Sequence, residues 1–438
     1  MVMKVEDLVI VSVDDHVIEP PDMFKRHLPP DLLALGPRNE EFPDGSHRWI
    51  YEDRVVGQIG LNAVVGRLPE EYGCEPNAYT QMRKGTYDIK ARIDDMNVNG
   101  ILGSICFGSF VYFDGGFFLG AKDKTLTNRV VQAYNDWHID EWCGGAPGRF
   151  IPLAIVPLWD VDLVVAEVKR VAAKGCHTIS FPDNPAAKGL PSIHSPYWAP
   201  LWKACAEHRI VISTHIGTGS EPPFASAESP IAAWITSMPM AISNSAADWI
   251  YLSALQEYPE LKISLAEGGV GWIPYLLERA DFTHKHHGAW TNSQLGGKLP
   301  SEVFREHFIT CFIDDKFGLA NRDWIGIDRI CYECDYPHSD CVWPNSPEIL
   351  FESLPGLSDD EINKITHLNA MREFSYDPFA ILGRENCTVG ALRARAAHVD
   401  TAPRSYGGGR PIEAGSKSRV TSGDVQRMFA ANQGKEAA

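Results

Sequence analysis

The chain has 438 residues, 44% hydrophobic and 22% charged, with a formal charge of −17. That length suits one large domain or two ordinary ones, and the acidic balance argues against nucleic acid or an anionic membrane as partner. No apolar run approaches the roughly 18–20 residues of a membrane span, and no basic stretch with an apolar core opens the chain, so no secretion signal is expected. The ten cysteines are scattered, which suits reduced thiols in a cytoplasmic setting.

Leu8 to Val13 is an apolar, β-branched run that reads as a buried strand. It ends in Asp14-Asp15-His16, with Glu19 three residues on. Side chains alternate across a strand, so Asp14 and His16 point one way and Asp15 the other. Such a pair could hold a divalent metal, or could simply be a polar strand end. Residues 22–87 are rich in Pro, Gly and Trp without a long periodic segment. They read as an insertion with a small hairpin near Trp49 to Gly60, serving as a lid or an interface segment. Asp88 to Asn97 has helical spacing.

From Gly100 onward, apolar strands and amphipathic helices alternate. The strands are expected at Gly100 to Phe107, Phe150 to Val156, Cys176 to Phe181, Arg209 to His215, Leu261 to Ala266, Phe308 to Ile313 and Arg329 to Cys334. The helices are expected at Asp123 to Cys143, Val161 to Lys174, Trp198 to His208, Ser245 to Tyr258, Ile273 to Lys285, Gly318 to Ile325 and Asp359 to Glu373. With the opening strand this makes eight strands buried on both faces. The fold class is therefore α/β, a (β/α)8 TIM barrel over residues 1–385. An open doubly wound sheet would carry a phosphate-binding Gly loop after its first strand, where this chain has Asp-Asp-His. Residues 386–438, rich in Arg, Ala, Gly and Ser, read as an extended C-terminal tail, partly disordered or partner-wrapping.

Active-site groups of such barrels sit at the carboxyl ends of strands. Five of the eight predicted strands end in a possible metal ligand: Asp14 and His16, Asp183, His215, Glu267, and Asp335. Alternatives stand beside each. His215 could be a core histidine, Glu267 a helix cap, Asp335 a brace for the following turn, and Asp183 suits a turn residue better than a ligand. Glu19 before Pro20 could go either way. The cluster His284, His286 and His287 reads as a solvated helix end. Arg92, Arg149 and Arg279 read as structural or surface residues.

With Thr214-His215-Ile216-Gly217, Ala266-Glu267-Gly268-Gly269 and Cys334-Asp335-Tyr336-Pro337-His338 added to the first motif, the chain resembles the amidohydrolase superfamily. The resemblance is to the amidohydrolase-related branch that includes aminocarboxymuconate semialdehyde decarboxylase and resorcylate decarboxylase, and it covers roughly residues 5–385. It implies a divalent metal, Zn or Fe/Mn, with Asp14, His16, His215 and Asp335 as ligands and Asp335 as proton acceptor. Glu267 stands where many members carry a catalytic His. Glu19 and Glu267 enlarge the carboxylate set, and His338 offers one more ligand, which would suit one ion or two.

Three functions follow as expectations. The first is hydrolysis or non-oxidative decarboxylation of a small carboxylate-bearing substrate, with Asp335 and Glu267 catalytic. The second is a dinuclear non-haem iron oxygenase, and the third a non-catalytic partner subunit. The resemblance further implies a homo-oligomer, or a hetero-oligomer with a related subunit.

Overall fold

Near-continuous Val, Ile, Leu and Cys runs become the strands of the computed structural model, which describes residues 3–73, 76–220, 223–408 and 418–433. In chain order these are β1 (Val11–Val17), the insertion strands β2 (Arg38–Glu41), β3 (His47–Tyr51) and β4 (Arg54–Val56), then β5 (Gly103–Gly108), β6 (Phe150–Ile151), β7 (Thr178–Ser180), β8 (Val211–His215), β9 (Lys262–Ala266), β10 (Phe308–Phe312) and β11 (Ile330–Tyr332). Eight of them form one sheet in the order β6-β5-β1-β11-β10-β9-β8-β7, with all its paired strands parallel. The edges β6 and β7 are not joined by a continuous ladder. A single parallel bridge, Ala154 to Ile179, spans that seam among the described residues, with Ala154 N donating to Thr178 O at 3.1 Å and Ser180 N to Ala154 O at 2.8 Å. The expected eight-stranded α/β architecture is thus present.

Alternation assigns the two faces. Val9, Val11, Val13, Ile105, Phe107, Ile309 and Cys331 pack inside the curved sheet, whereas Ile10, Cys106, Ile179, Ile212 and Ile263 pack beneath the helices. Cys331 and Cys334, three apart, fall on opposite faces, as period-two geometry requires. Helices fill the connections, and several are capped by their own side chains. Asp88 Oδ1 accepts from Ala91 N at 3.0 Å to start the helix Ile89–Asn99, and Gly100, at φ 75°, ends it.

Among the helices that differ from expectation, the segment predicted as one over Gly318 to Ile325 is two short ones, Lys316–Ala320 and Arg322–Ile325. The segment predicted as one helix over Ser245 to Tyr258 is two, Pro239–Trp249 and Ala254–Glu257. Between them Tyr251 N donates to Asp248 O at 3.1 Å and Leu252 N to Trp249 O at 3.0 Å, bonds three residues back that tighten the chain into a turn. The helix predicted to end at Lys285 continues to Thr291. The insertion forms an antiparallel sheet in the order β2-β3-β4, turned between β3 and β4 at Glu52, whose φ is 53°. Its Trp49 packs on Phe24 and Phe110.

Parts of the described tail pack onto the body. The helix Val389–Arg393 buries Val389 and Leu392, Arg404 N donates to Gly66 O at 3.1 Å, and Ser422 N to Ser229 O at 2.9 Å. The rest of the segment read as disordered or partner-wrapping, 409–417 and 434–438, lies outside the described residues. Among the described residues no helix is long and apolar enough to cross a membrane.

Candidate metal centre

The ends of β1 and β11 are laced together beyond the strands. Asp335 N donates to Asp14 O at 2.9 Å and His16 N to Tyr336 O at 2.6 Å. This pairing fixes the side chains of Asp14, His16 and Asp335 at one mouth of the sheet. His16 Nε2 lies 3.2 Å from Asp335 Oδ1 and 3.7 Å from Asp14 Oδ1. His215, at the end of β8, brings Nε2 to 3.5 Å from Asp14 Oδ2 and 3.0 Å from Glu267 Oε2. Its Nδ1 lies 2.6 Å from Ile216 O, so Nδ1–H donates there and Nε2 is the nitrogen that faces the cluster. His338 stacks on His16 at 3.7 Å between ring centroids and puts Nδ1 2.9 Å from Asp335 Oδ1. Glu267 and Asp335 both adopt left-handed φ, 56° and 57°, a conformation uncommon for residues other than glycine and concentrated at functional sites.

The electrostatics are those of a cation site. Both oxygens of Asp14, both of Asp335, both ring nitrogens of His16, His215 Nε2 and His338 Nε2 are buried without a hydrogen-bond partner. Burial holds the Asp14 and Asp335 carboxyls well above the usual carboxylate range. Burial also pulls His16 well below the usual imidazole range and His338 down to about 4. For His215 burial opposes the charge, but the Asp14 and Glu267 carboxylates outweigh it and push it up to about 9. Pooled buried carboxylates and unpaired imidazole nitrogens are costly unless a cation joins them. The donors form two groups, His16, Glu267, Asp335 and His338 in one, Asp14, His16 and His215 in the other, each with its ligand atoms within 4.8 Å of one another. Imidazole nitrogen and carboxylate oxygen are donors of the kind that bind divalent cations.

Six of the seven residues singled out in the sequence therefore meet. Glu19 does not join them. It is fully buried, but its Oε2 accepts from Phe110 N at 2.9 Å, so it anchors the loop after β5. Asp15 faces away, as alternation requires. It accepts from Ser12 Oγ at 3.1 Å and Tyr336 N at 2.9 Å, and from the Ser104 hydroxyl. Asp183 behaves as a turn residue, accepting from Ser220 N at 3.0 Å and Ser245 Oγ at 2.5 Å. Arg92 is structural and buried, donating to the carbonyls of Gly85 and His16.

Three contributors escaped the sequence reading. Glu333 is buried beneath the cluster, accepts from Cys311 Sγ at 2.6 Å and Glu267 N at 3.0 Å, and is pushed up to about 7 by burial. Asp14, Cys311 and Glu333 form a third group able to hold a metal. The signal existed, since Glu333 precedes Asp335 by two and so shares its face. Phe113 lays its ring 4.5 Å from that of His215 and 4.8 Å from that of His16, and nothing local in the sequence marks it.

A barrel-like parallel sheet with histidines and carboxylates pooled at its carboxyl mouth defines a metal-dependent α/β enzyme of the amidohydrolase type. The Amidohydrolase family model matches residues 89–375, more than half of the chain, and the chain belongs to this family of enzymes. No curated protein matches it. Among solved structures, an amidohydrolase of Mycobacterium avium subsp. paratuberculosis is 21% identical with a TM-score of 0.64, over 84% of this chain and 99% of that one. A 5-carboxyvanillate decarboxylase of Novosphingobium aromaticivorans with bound manganese is 16% identical with a TM-score of 0.57, over 85% and 98%. The 2,6-dihydroxybenzoate decarboxylase of Rhizobium is 18% identical with a TM-score of 0.52, over 84% and 98%. At such identities these likenesses speak for the fold.

Proposed function

We propose that this chain is a metal-dependent, non-oxidative decarboxylase of a small, ring-bearing carboxylic acid. The observation that carries the reading is the convergence of buried, unpartnered donors on Asp14, His16, His215 and Asp335 beneath the Phe113 ring. The activities named for the structural relatives support decarboxylation over hydrolysis. In this reading those four residues hold a divalent cation, and Glu267 and His338 complete the set. The cation supplies positive charge for a substrate carboxylate and a neighbouring oxygen. Phe113 offers a flat apolar wall for the ring. Asp335, flanked by His16 and His338, holds the proton that is delivered to the ring carbon as the carbon–carboxylate bond breaks and its electron pair stays on that carbon. Release of CO2 from 2-hydroxybenzoic acids by manganese- or zinc-loaded protein, with solvent deuterium incorporated at the vacated carbon, is the expected result. Absence of CO2 release, with turnover of esters or amides instead, would replace it with hydrolysis.

A second reading rests on the number of donors. Asp14, Cys311 and Glu333 extend the cluster beyond what one ion needs, which favours two ions and, with iron, oxygen chemistry on a small acid. Two metals per chain and oxygen uptake by iron-loaded protein would establish it, and one metal per chain would remove it.

A further inference from the structure

The loop after β5 turns on two consecutive aromatic residues in the left-handed region, Tyr112 at φ 56° and Phe113 at φ 64°. That conformation is costly for bulky side chains and persists where the surroundings over-determine it. The turn sets the Phe113 ring against the imidazoles of His16 and His215, with ring centres 4.8 Å and 4.5 Å apart, and leaves Tyr112 38% exposed. Three backbone bonds close the turn: Phe113 N to Gly108 O at 3.0 Å, Asp114 N to Tyr112 O at 2.8 Å and Gly115 N to Val111 O at 3.0 Å. They fix the loop upon itself, not against the rest of the mouth.

Asp114, next in the chain, makes the outside connection. It is fully buried. Its Oδ1 accepts from Gly116 N at 2.7 Å and its Oδ2 from Lys188 Nζ at 2.6 Å. Lys188 ends the short helix Pro185–Lys188 that follows β7. The pair therefore joins the loop after β5 to the segment after β7, past β6 and the seam that the single Ala154 bridge spans. Burial pushes the Asp114 carboxyl above its ordinary range and the Lys188 ammonium opposes that rise, so the buried carboxylate depends on its partner. Gly116 leaves the room for both, since a Cβ there would overlap Lys188 Nζ and lie 2.8 Å from Asp114 Oδ1.

We infer that Asp114 and Lys188 are positioning residues for Phe113: their ion pair clamps the strained turn so that the aromatic ring stands over the metal centre and offers its face to the substrate ring. What the ring meets rests on the proposed decarboxylation; where the ring stands does not.

Full-length protein carrying 4-fluorophenylalanine tests this, with the Phe113 resonance assigned by its loss in Phe113→Leu. In metal-free protein Lys188→Met is expected to shift or broaden that resonance, and Lys188→Arg to keep it near the wild-type position. Gly116→Ala displaces the ammonium without removing a charge. It is expected to act like Lys188→Met, and it stands in should that variant fail to fold. In metal-loaded protein supplied with 2-hydroxybenzoic acids, Lys188→Met and Phe113→Ala are each expected to lower kcat/KM about tenfold or more at unchanged metal content. The double variant is expected to lose no more than Phe113→Ala alone, because Lys188 acts through that ring. A Phe113 resonance unmoved by these variants, or losses that multiply in the double variant, would overturn the clamp. No CO2 release from the wild type would instead count against the decarboxylation, and the fluorine resonance would still decide the placement of Phe113.

Discussion

At the base of the sheet, Arg149 is buried and donates to the carbonyls of Leu102 at 2.6 Å and Ile101 at 3.0 Å. At the mouth, Asp14 is equally buried and neither of its oxygens meets a donor. The same contrast runs through both ends. At the base Asn369 Nδ2 donates to Ile327 O and Ile330 O, each at 2.8 Å, and Tyr376 Oη to Gly148 O at 2.6 Å, amid an apolar plug that includes Phe374 and Leu392. At the mouth, positive φ at Glu267 and Asp335 accompanies donors left without partners. Free energy gained by packing at one end offsets the cost of pooled charge at the other, a division common in enzymes. Neighbouring residues repeat it in miniature, since Asp15 is fully bonded where Asp14 is not.

The contrast breaks most visibly if a mouth residue is removed. Asp335→Asn is expected to lower kcat/KM for decarboxylation by roughly 10⁴-fold, about 5 kcal/mol of transition-state stabilisation, without lowering the thermal midpoint of chelated protein. A base residue should do the reverse. Phe374→Ala leaves a cavity in the plug and should cost about 3–5 kcal/mol in denaturant unfolding, with metal per folded chain unchanged. Metal removal is the next test. Chelation from metal held about 100-fold above Kd should remove about 3 kcal/mol of stability. In metal-free protein Asp14→Asn should raise the melting temperature, because it relieves repulsion that the cation otherwise neutralises.

Much of this contrast was legible in the sequence, and the residues show why. Asp14, His16, His215, Glu267 and Asp335 each end an apolar run, and a parallel barrel sends all such ends to one mouth. Glu333 was hidden inside a run read as strand, where only its register with Asp335 betrays it. Cys311 was one of ten scattered cysteines, and nothing local set it apart from the others. Glu19 sits two residues beyond β1, past the reach of strand alternation, and its direction is set by Phe110, 91 residues away. The split near Ile250 is a tightening of the backbone into a turn, which local helical periodicity does not encode.

Glu19 also yields the smallest predicted effect and the cleanest check on which carboxylates belong to the metal. Burial pushes it from 4.5 up to about 7, against the hydrogen bond from Phe110 N and one from the Tyr134 hydroxyl. A carboxyl raised on folding contributes stability that is fully present below its unfolded pKa of 4.5 and is lost as pH rises through about 7. Glu19→Gln keeps the shape and the acceptor for Phe110 N but carries no charge to desolvate. The variant should match wild type near pH 4 and exceed it by on the order of 2 kcal/mol at pH 8, measured by urea unfolding of chelated protein across that range. Its metal content should equal that of wild type, because the carboxylate is committed to the loop after β5. Loss of metal in Glu19→Gln would instead make Glu19 a ligand and move the boundary between bonded and metal-binding carboxylates outward by one residue.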